Sequence, residues 1–336
     1  LVIPLGQILF ICIPSAAGLG LLLMASVFPV LTQLGVSRIS AASVITACTA
    51  FGIGPASAIT ARASEISNQV VISYFIEHQI PLVLPLSIFL AFSYYFVNKY
   101  FDAKNPEENI ASPIEETNPV LLVPKIYAII PVLPLFLLII FSDLLQLFQS
   151  PILLDTTTAM LISLIVAMIF EWLRTKSISK VFDSLSIFWN GMGNIFKTVV
   201  TLIITAEIFS KGLISLGAID ALVYLSHNIG MEATGIAVIM TILIFIASMV
   251  MGSGNASFFA FAPLSSQIAN SYDVSSATFV LPMNLSASMG RTVSPISGVL
   301  IAVSQLAGVS SMDLVKRNLI PFALNMILLL ILHFVL

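Results

Sequence analysis

The chain has 336 residues, of which 58% are hydrophobic and 9% charged, with a formal net charge of -3. Together with a mean hydropathy of +1.08, this excludes a soluble core with a wetted surface, and the small acidic charge excludes nucleic acid as a partner. The class left is an all-α polytopic membrane protein, because apolar stretches near the roughly 20 residues that span a bilayer satisfy their backbone in lipid only as helices.

The chain opens on Leu1 inside an apolar run, with no basic region or cleavage site of a signal peptide. Leading helices are therefore expected to precede it. Apolar segments follow at roughly 3–33, 40–66, 80–98, 124–142, 152–173, 198–226, 235–270, 276–306 and 319–336. The first carries "IPSAAGLG" midway and the seventh "MGSGNAS", so each has the length of two half-helices joined by a tip. Both are expected to be re-entrant hairpins. The segments 40–66 and 276–306 are interrupted by "FGIGPASA" (51–58) and "NLSASMGRTVSPISG" (284–298), and are expected to be broken transmembrane helices.

Hairpin, broken helix and plain span thus occur twice, at 3–98 and 235–336. A shift of 236 positions aligns Ser40 with Ser276, Ala41 with Ala277, Val44 with Val280 and Gly54 with Gly290. The organisation expected is a first repeat at 1–98, an acidic, proline-broken cytoplasmic linker at 99–123, and a second, inverted repeat at 124–336. Duplicated halves of this kind build many secondary transporters. Within the second repeat, Val181, Leu185, Phe188 and Met192 share one helical face beside Trp189, which suits a helix lying along the membrane interface.

If each hairpin returns to its own side while each broken helix crosses, then Arg38, Lys99, Lys104, Lys125, Arg174, Lys176, Lys180, Lys197, Lys316 and Arg317 share one side. By the positive-inside rule that side is the cytoplasm.

Non-helical backbone at membrane depth is tolerated only where it is buried in protein or lines an aqueous cavity, so the breaks are the candidate site. At a hairpin tip the second half-helix begins with unpaired N–H groups and a positive dipole end that attract an anion. Ser15 and Asn255 are placed to cap those ends. Asn284, Ser286, Ser288, Thr292 and Ser294 crowd the second break, and Gly54 and Ser57 mark the first. Unwound carbonyls with Ser and Asn oxygens are hard ligands that would hold sodium, with Ser15, Gly54, Asn255 and Ser288 as its nearest candidates. For any single serine, close packing of helices is the competing explanation.

Arg291 lies within the second break, where an unpaired charge costs at least about 2.5 kcal/mol. No acid stands nearby in sequence, so a substrate carboxylate is its expected partner, with a structural salt bridge as the alternative. Two anion-attracting tips facing one another suit a short dicarboxylate. Arg62 with Glu65, and Glu207 with Lys211, have spacings that neutralise charge on one helix face. Cys12 and Cys48 lie in apolar stretches and are expected to pack. His78, His227 and His333 are isolated and no H-E-x-x-H occurs, which weighs against an intramembrane enzyme. Paired hairpins weigh against a channel. No cofactor is expected, and the coupling ion would be sodium or a proton.

"IPSAAGLGLLLMASVFPVL", "GSGNASFFAF" and "GRTVSPISGV", with "GMGNIFKTVVTLI" and "SKGLISLGAIDAL", resemble the anaerobic four-carbon dicarboxylate carriers of the DcuC type. That family belongs to a wider ion transporter superfamily of inverted-repeat elevator carriers. The resemblance implies a bacterial inner-membrane carrier exporting succinate or exchanging it for fumarate. It implies substrate-binding residues Ser15 and Gly18, Gly54, Pro55 and Ser57, Ser253, Gly254 and Asn255, and Asn284, Ser286, Ser288, Gly290, Arg291, Thr292 and Ser294. The stretch "FGIGPASAIT" departs from the more polar, Asp-bearing sequence expected there. Partners expected are the dicarboxylate, the lipid bilayer and a second copy in a homodimer. Citrate, an amino acid, another organic anion or an ion-antiport cargo remain alternatives, since a fold does not fix its substrate.

Overall fold

The computed structural model describes residues 1–104, 125–141, 154–217, 221, 224 and 232–334. All regular structure among the described residues is helical. Six of these helices are long and apolar enough to cross a membrane. The chain divides into two compact units, one of Leu1–Glu116 with Ala206–Leu336 and the other of Thr117–Thr205.

The first unit opens with α1 (Val2–Cys12) and α2 (Ala16–Gln33), joined at Ile13–Ser15. Pro14 ends the α1 hydrogen-bond ladder by lacking an N–H, and the Ser15 side chain accepts from Gly18 N at 3.2 Å to begin α2. Then come α3 (Arg38–Ala47) and α4 (Ala58–Ile66), separated by residues 48–57. At 10 and 9 residues, neither half crosses a bilayer alone. The long α5 (Val71–Lys104) follows and contains a π-helical turn at Phe75–Gln79. The expected loop at 67–79 is thus mostly helix, and the expected linker lies, beyond Lys104, outside the described residues.

The second unit contains a 3-10 turn (Lys125–Val132), α6 (Leu133–Ile140), α7 (Thr156–Thr175) and α8 (Ile178–Ile195). Asp155 caps α7 by accepting from Thr158 N, and hydrogen bonding from the Thr158 side chain, with the backbone bond added, holds its carboxyl below the usual carboxylate range. On α8, Val181 is buried while Phe188, Trp189 and Met192 are exposed. A π-turn (Phe196–Val200) leads into α9 (Thr201–Ser215), within which the division between units falls.

The first unit resumes with α10 (Ala233–Met251) and α11 (Gly254–Ser271), then α12 (Ala277–Thr292) and α13 (Gly298–Ala307), and ends on α14 (Ser311–Phe334). α12 is buried on nearly every face and packs against α4, α10, α11 and α14. Such a helix is a core element rather than an amphipathic one. Small residues bring its neighbours close: a Cβ on Gly290 would stand 2.3 Å from the Phe245 carbonyl oxygen, and one on Gly254 would stand 2.9 Å from that of Ala287.

The halves exchange contacts reciprocally. α13 packs on α2 and α3, while α4 packs on α11 and α12. The plain spans α5 and α14 pack against each other inside this same unit.

Several details differ from the sequence expectation. The second break is narrower, since α12 stays helical through Thr292 and only residues 293–297 leave the ladder. Burial of the whole helix overrides the tendency of Asn and Ser to unwind it, and Ser286 and Thr292 return their hydroxyls to carbonyls of the same helix. Ser253, not Asn255, caps α11, accepting from Ala256 N at 3.2 Å. The caps also show that the two halves do not keep one register, being offset by 238 positions for Ser15 and Ser253 and by 240 for Ser57 and Ser297. Gly54 and Gly290 are therefore not equivalent: the first sits in a break at φ +102, the second inside α12.

Candidate functional site

The two tips and two breaks meet in pairs. Gly54 adopts a φ open only to glycine, and a Cβ there would also strike Ile11 beside the first tip, 2.8 Å from its Cγ2. Gly252 ends α10 at φ +70, where a Cβ would lie 3.0 Å from the Ile296 carbonyl oxygen in the second break. Each hairpin tip thus rests on the break of its own half.

The halves are joined by a polar stripe on α12. Asn284, Ser288 and Arg291 stand four and three residues apart, and so project from one face in successive turns. Asn284 Oδ1 accepts from Gln79 Nε2 at 3.5 Å. Ser288 Oγ accepts from Gly52 N at 3.0 Å. Arg291 donates through Nη2 to the Thr49 carbonyl. α12 therefore runs along the first break, holding it directly through Ser288 and Arg291 and, by way of Gln79 of α5, through Asn284. Inside that break, Ser57 donates to the Gly52 carbonyl at 3.2 Å, and Pro55 is buried.

Arg291 has no acidic partner within salt-bridge reach among the described residues. It sits where α3 ends, on a carbonyl left unpaired by the break, with its guanidinium 5.8 Å from the Phe10 ring centroid. The negative end of a helix dipole and an aromatic face both favour a cation.

Among the other expected site residues, Ser286, Thr292 and Ser294 are fully buried, and the Thr292 carbonyl accepts from Asn318 Nδ2 at 2.9 Å. Ser15 and Gly18 are exposed at the first tip, Ser253 and Asn255 are partly buried at the second, and Gly254 is buried against Ala287. The described residues include no cluster of three His, Cys, Asp or Glu side chains suited to a metal.

Gln79 escaped the sequence reading. It is fully buried on the π-turn of α5, accepts from Gly54 N at 3.2 Å, and exchanges bonds with Thr60. π-turns often mark functional positions, but no residue pattern flags one in an apolar run. Two clusters of ion pairs, one around Arg317 and one around Arg62, also frame the unit. Arg317 is buried and donates to Asp102 at 2.6 Å and to Ser40 at 2.8 Å, so it is an internal tie between α14, α5 and α3 rather than a solvated topology charge. Arg62 bridges Glu65 at 2.7 Å as expected, and also Glu207. Glu207 holds its expected partner Lys211 only at 3.9 Å.

Seven buried side-chain atoms have no hydrogen-bond partner among the described residues, and three of them lie on α12 or in the second break: Asn284 Nδ2, Arg291 Nε and Ser297 Oγ. An unpaired buried donor costs about 1–3 kcal/mol, so such atoms mark either strain or a place for a ligand.

The profile of the family described as "C4-dicarboxylate anaerobic carrier", DcuC, matches residues 1–336. The anaerobic C4-dicarboxylate transporter DcuC of Escherichia coli K12 is 30% identical over 322 residues, covering 96% of this chain and 68% of that protein. A Vibrio cholerae protein assigned the same name is 32% identical over 321 residues, covering 94% and 68%. An uncharacterized transporter of Haemophilus influenzae is 33% identical over 198 residues, covering 57% and 67%. The match to the family profile over every residue places this protein among carriers rather than enzymes: the chain belongs to the DcuC family of C4-dicarboxylate anaerobic carriers.

Proposed function

We propose that the protein is a secondary transporter of C4-dicarboxylates in the bacterial inner membrane. It would export succinate, exchange it for fumarate, or take either up coupled to sodium or protons. The observation that carries this reading is the juxtaposition of two capped hairpin tips and two helix breaks in a chain that matches a dicarboxylate carrier family throughout. The helix N-termini at the two tips, facing one another in this reading, supply partial positive charge for the two ends of a dianion. In this reading the hairpins are re-entrant, the halves are inverted, and the tips and breaks move as one body in the elevator manner. The exposed aromatic face of α8 lies against lipid, and the protein works as a homodimer.

The test is counterflow. Protein in liposomes loaded with unlabelled succinate accumulates labelled succinate and fumarate, and the dependence on sodium or a proton gradient names the coupling ion. Folded protein that gives no counterflow refutes the dicarboxylate reading. Equal affinity for a monocarboxylate of the same length refutes the two-ended site.

A further inference from the structure

The direction of the hydrogen bonds around Gln79 can be worked out without choosing amide orientations freely. Gly54 contributes a backbone N–H, which can only donate, so the Gln79 atom facing it must be the oxygen. That turns Nε2 of Gln79 toward Asn284, 3.5 Å from the side-chain atom that must accept, Oδ1. The Asn284 nitrogen then necessarily points the other way. It is fully buried and has no partner among the described residues. Thr60, the remaining neighbour, both donates to and accepts from Gln79, so it imposes no direction of its own.

The geometry points to Gln79 and Asn284 as a polarised relay: Gly54 fixes Gln79, Gln79 fixes Asn284, and the outer end of the relay is an obligate N–H donor for a carboxylate oxygen of the substrate. Asn284 is the specificity-determining contact. Gln79 touches no substrate and acts as a positioning residue, and the π-turn at Phe75–Gln79 inserts its side chain between the first break and α12. The relay rests on the dicarboxylate reading above and deepens it, because it assigns the sign of a contact within that site. It joins α5 and the first break to α12, residues 205 positions apart in the chain.

Two variants test it in the counterflow assay with equal pH on both sides. Asn284→Leu keeps the branched outline of the side chain, with somewhat more bulk, and removes the unpaired donor. The relay predicts that KM for succinate rises about tenfold or more while the maximal exchange rate is little changed, since a site built around a hydrogen bond discriminates strongly against its loss. A purely structural Asn284 predicts unchanged KM and equal or greater stability, because an orphaned buried group has been replaced by an apolar one. Gln79→Glu adds a readout that packing cannot mimic. A neutral Glu carboxyl donates to Asn284 just as the amide does, whereas an ionised one accepts, turns the Asn284 amide over and presents oxygen to the substrate.

The ratio of variant to wild-type KM therefore climbs as pH rises through the range, about 5 to 9, in which a buried carboxyl ionises. Titratable or charged side chains near Gln79 are Arg62 and Glu65 of α4, Arg291 of α12 and, within five residues of it on α5, Tyr74, Glu77 and His78; these, like the groups farther along α5 from Tyr94 to Lys104, are shared with the wild type and cancel in the ratio. An unchanged KM in Asn284→Leu together with a flat ratio for Gln79→Glu overturns the relay. Failure of the wild type to exchange succinate at all would instead overturn the proposed function, so the two outcomes are distinguishable.

Discussion

The bond from Gly52 N to Ser288 Oγ is where the first break meets α12, and it sets up a double-mutant cycle with a definite sign. A Cβ added at Gly52 would lie 2.6 Å from Ser288 Oγ but 3.8 Å from Ser288 Cβ. In Gly52→Ala the hydroxyl must therefore move away, which breaks the 3.0 Å bond, orphans the Gly52 N–H and adds overpacking strain. The orphan costs about 1–3 kcal/mol and the strain a further ~1–3 kcal/mol. Ser288→Ala alone incurs only the orphan. The double variant incurs the orphan once and no clash, so it should match Ser288→Ala, and Gly52→Ala should be much less harmful in that background. The expected coupling is about -2 kcal/mol or larger in magnitude. Cys48 is fully buried next to the break, so thermal exposure of its thiol to a fluorogenic reagent, in a Cys12→Ala background, reports unfolding at this place. Additivity within about 0.5 kcal/mol would refute the reasoning, because independent sites add to that tolerance.

Three further outcomes follow from the same geometry. Gly290→Ala pushes a methyl against the backbone carbonyl of Phe245, which no rotamer change relieves, so folded yield should collapse by size-exclusion chromatography where Gly298→Ala, facing open space, leaves it intact. Asp102→Asn leaves the buried Arg317 guanidinium without its counter-charge and should cost ~3–5 kcal/mol, whereas replacing Asp102 and Arg317 together by Leu and Met should cost less than either single change, as read by the same thiol assay. Ser253→Ala removes the α11 cap and should cost ~1 kcal/mol while Asn255→Ala costs little, and the reverse ranking would reinstate Asn255 as the cap.

Helix positions were legible in the sequence because apolar length and chain-breaking chemistry are local. Pro14 with Ser15 and Gly252 with Ser253 end one ladder and start another within a few residues, so the tips announce themselves. The second break was overestimated for an equally physical reason. Asn284, Ser286 and Ser288 have weak helix propensity, but full burial leaves their backbone no partner except the helix itself. Gln79 and the pair Asp102–Arg317 were illegible because their meaning lies in distant partners. Gln79 acquires its role from Gly54 and Asn284, and Arg317 from a carboxylate 215 positions away.

Arg291 shows how the two kinds of information combine. A lone cation inside a membrane chain demands a partner, and the sequence offered no acid within reach, which made a substrate carboxylate the natural candidate. The structure supplies a weaker partner: the end of α3, worth about half an elementary charge when fully unpaired, and the Phe10 ring. A full ion pair would hold Arg291 too tightly for a cycling site, because removing a buried carboxylate partner costs several kcal/mol. A helix end is enough to keep the guanidinium in place and little enough for an arriving dianion to displace. Because the same carbonyl, Thr49, belongs to the first break, that displacement would remove one tie between the break and α12 while the bond from Gly52 N to Ser288 Oγ keeps the two together.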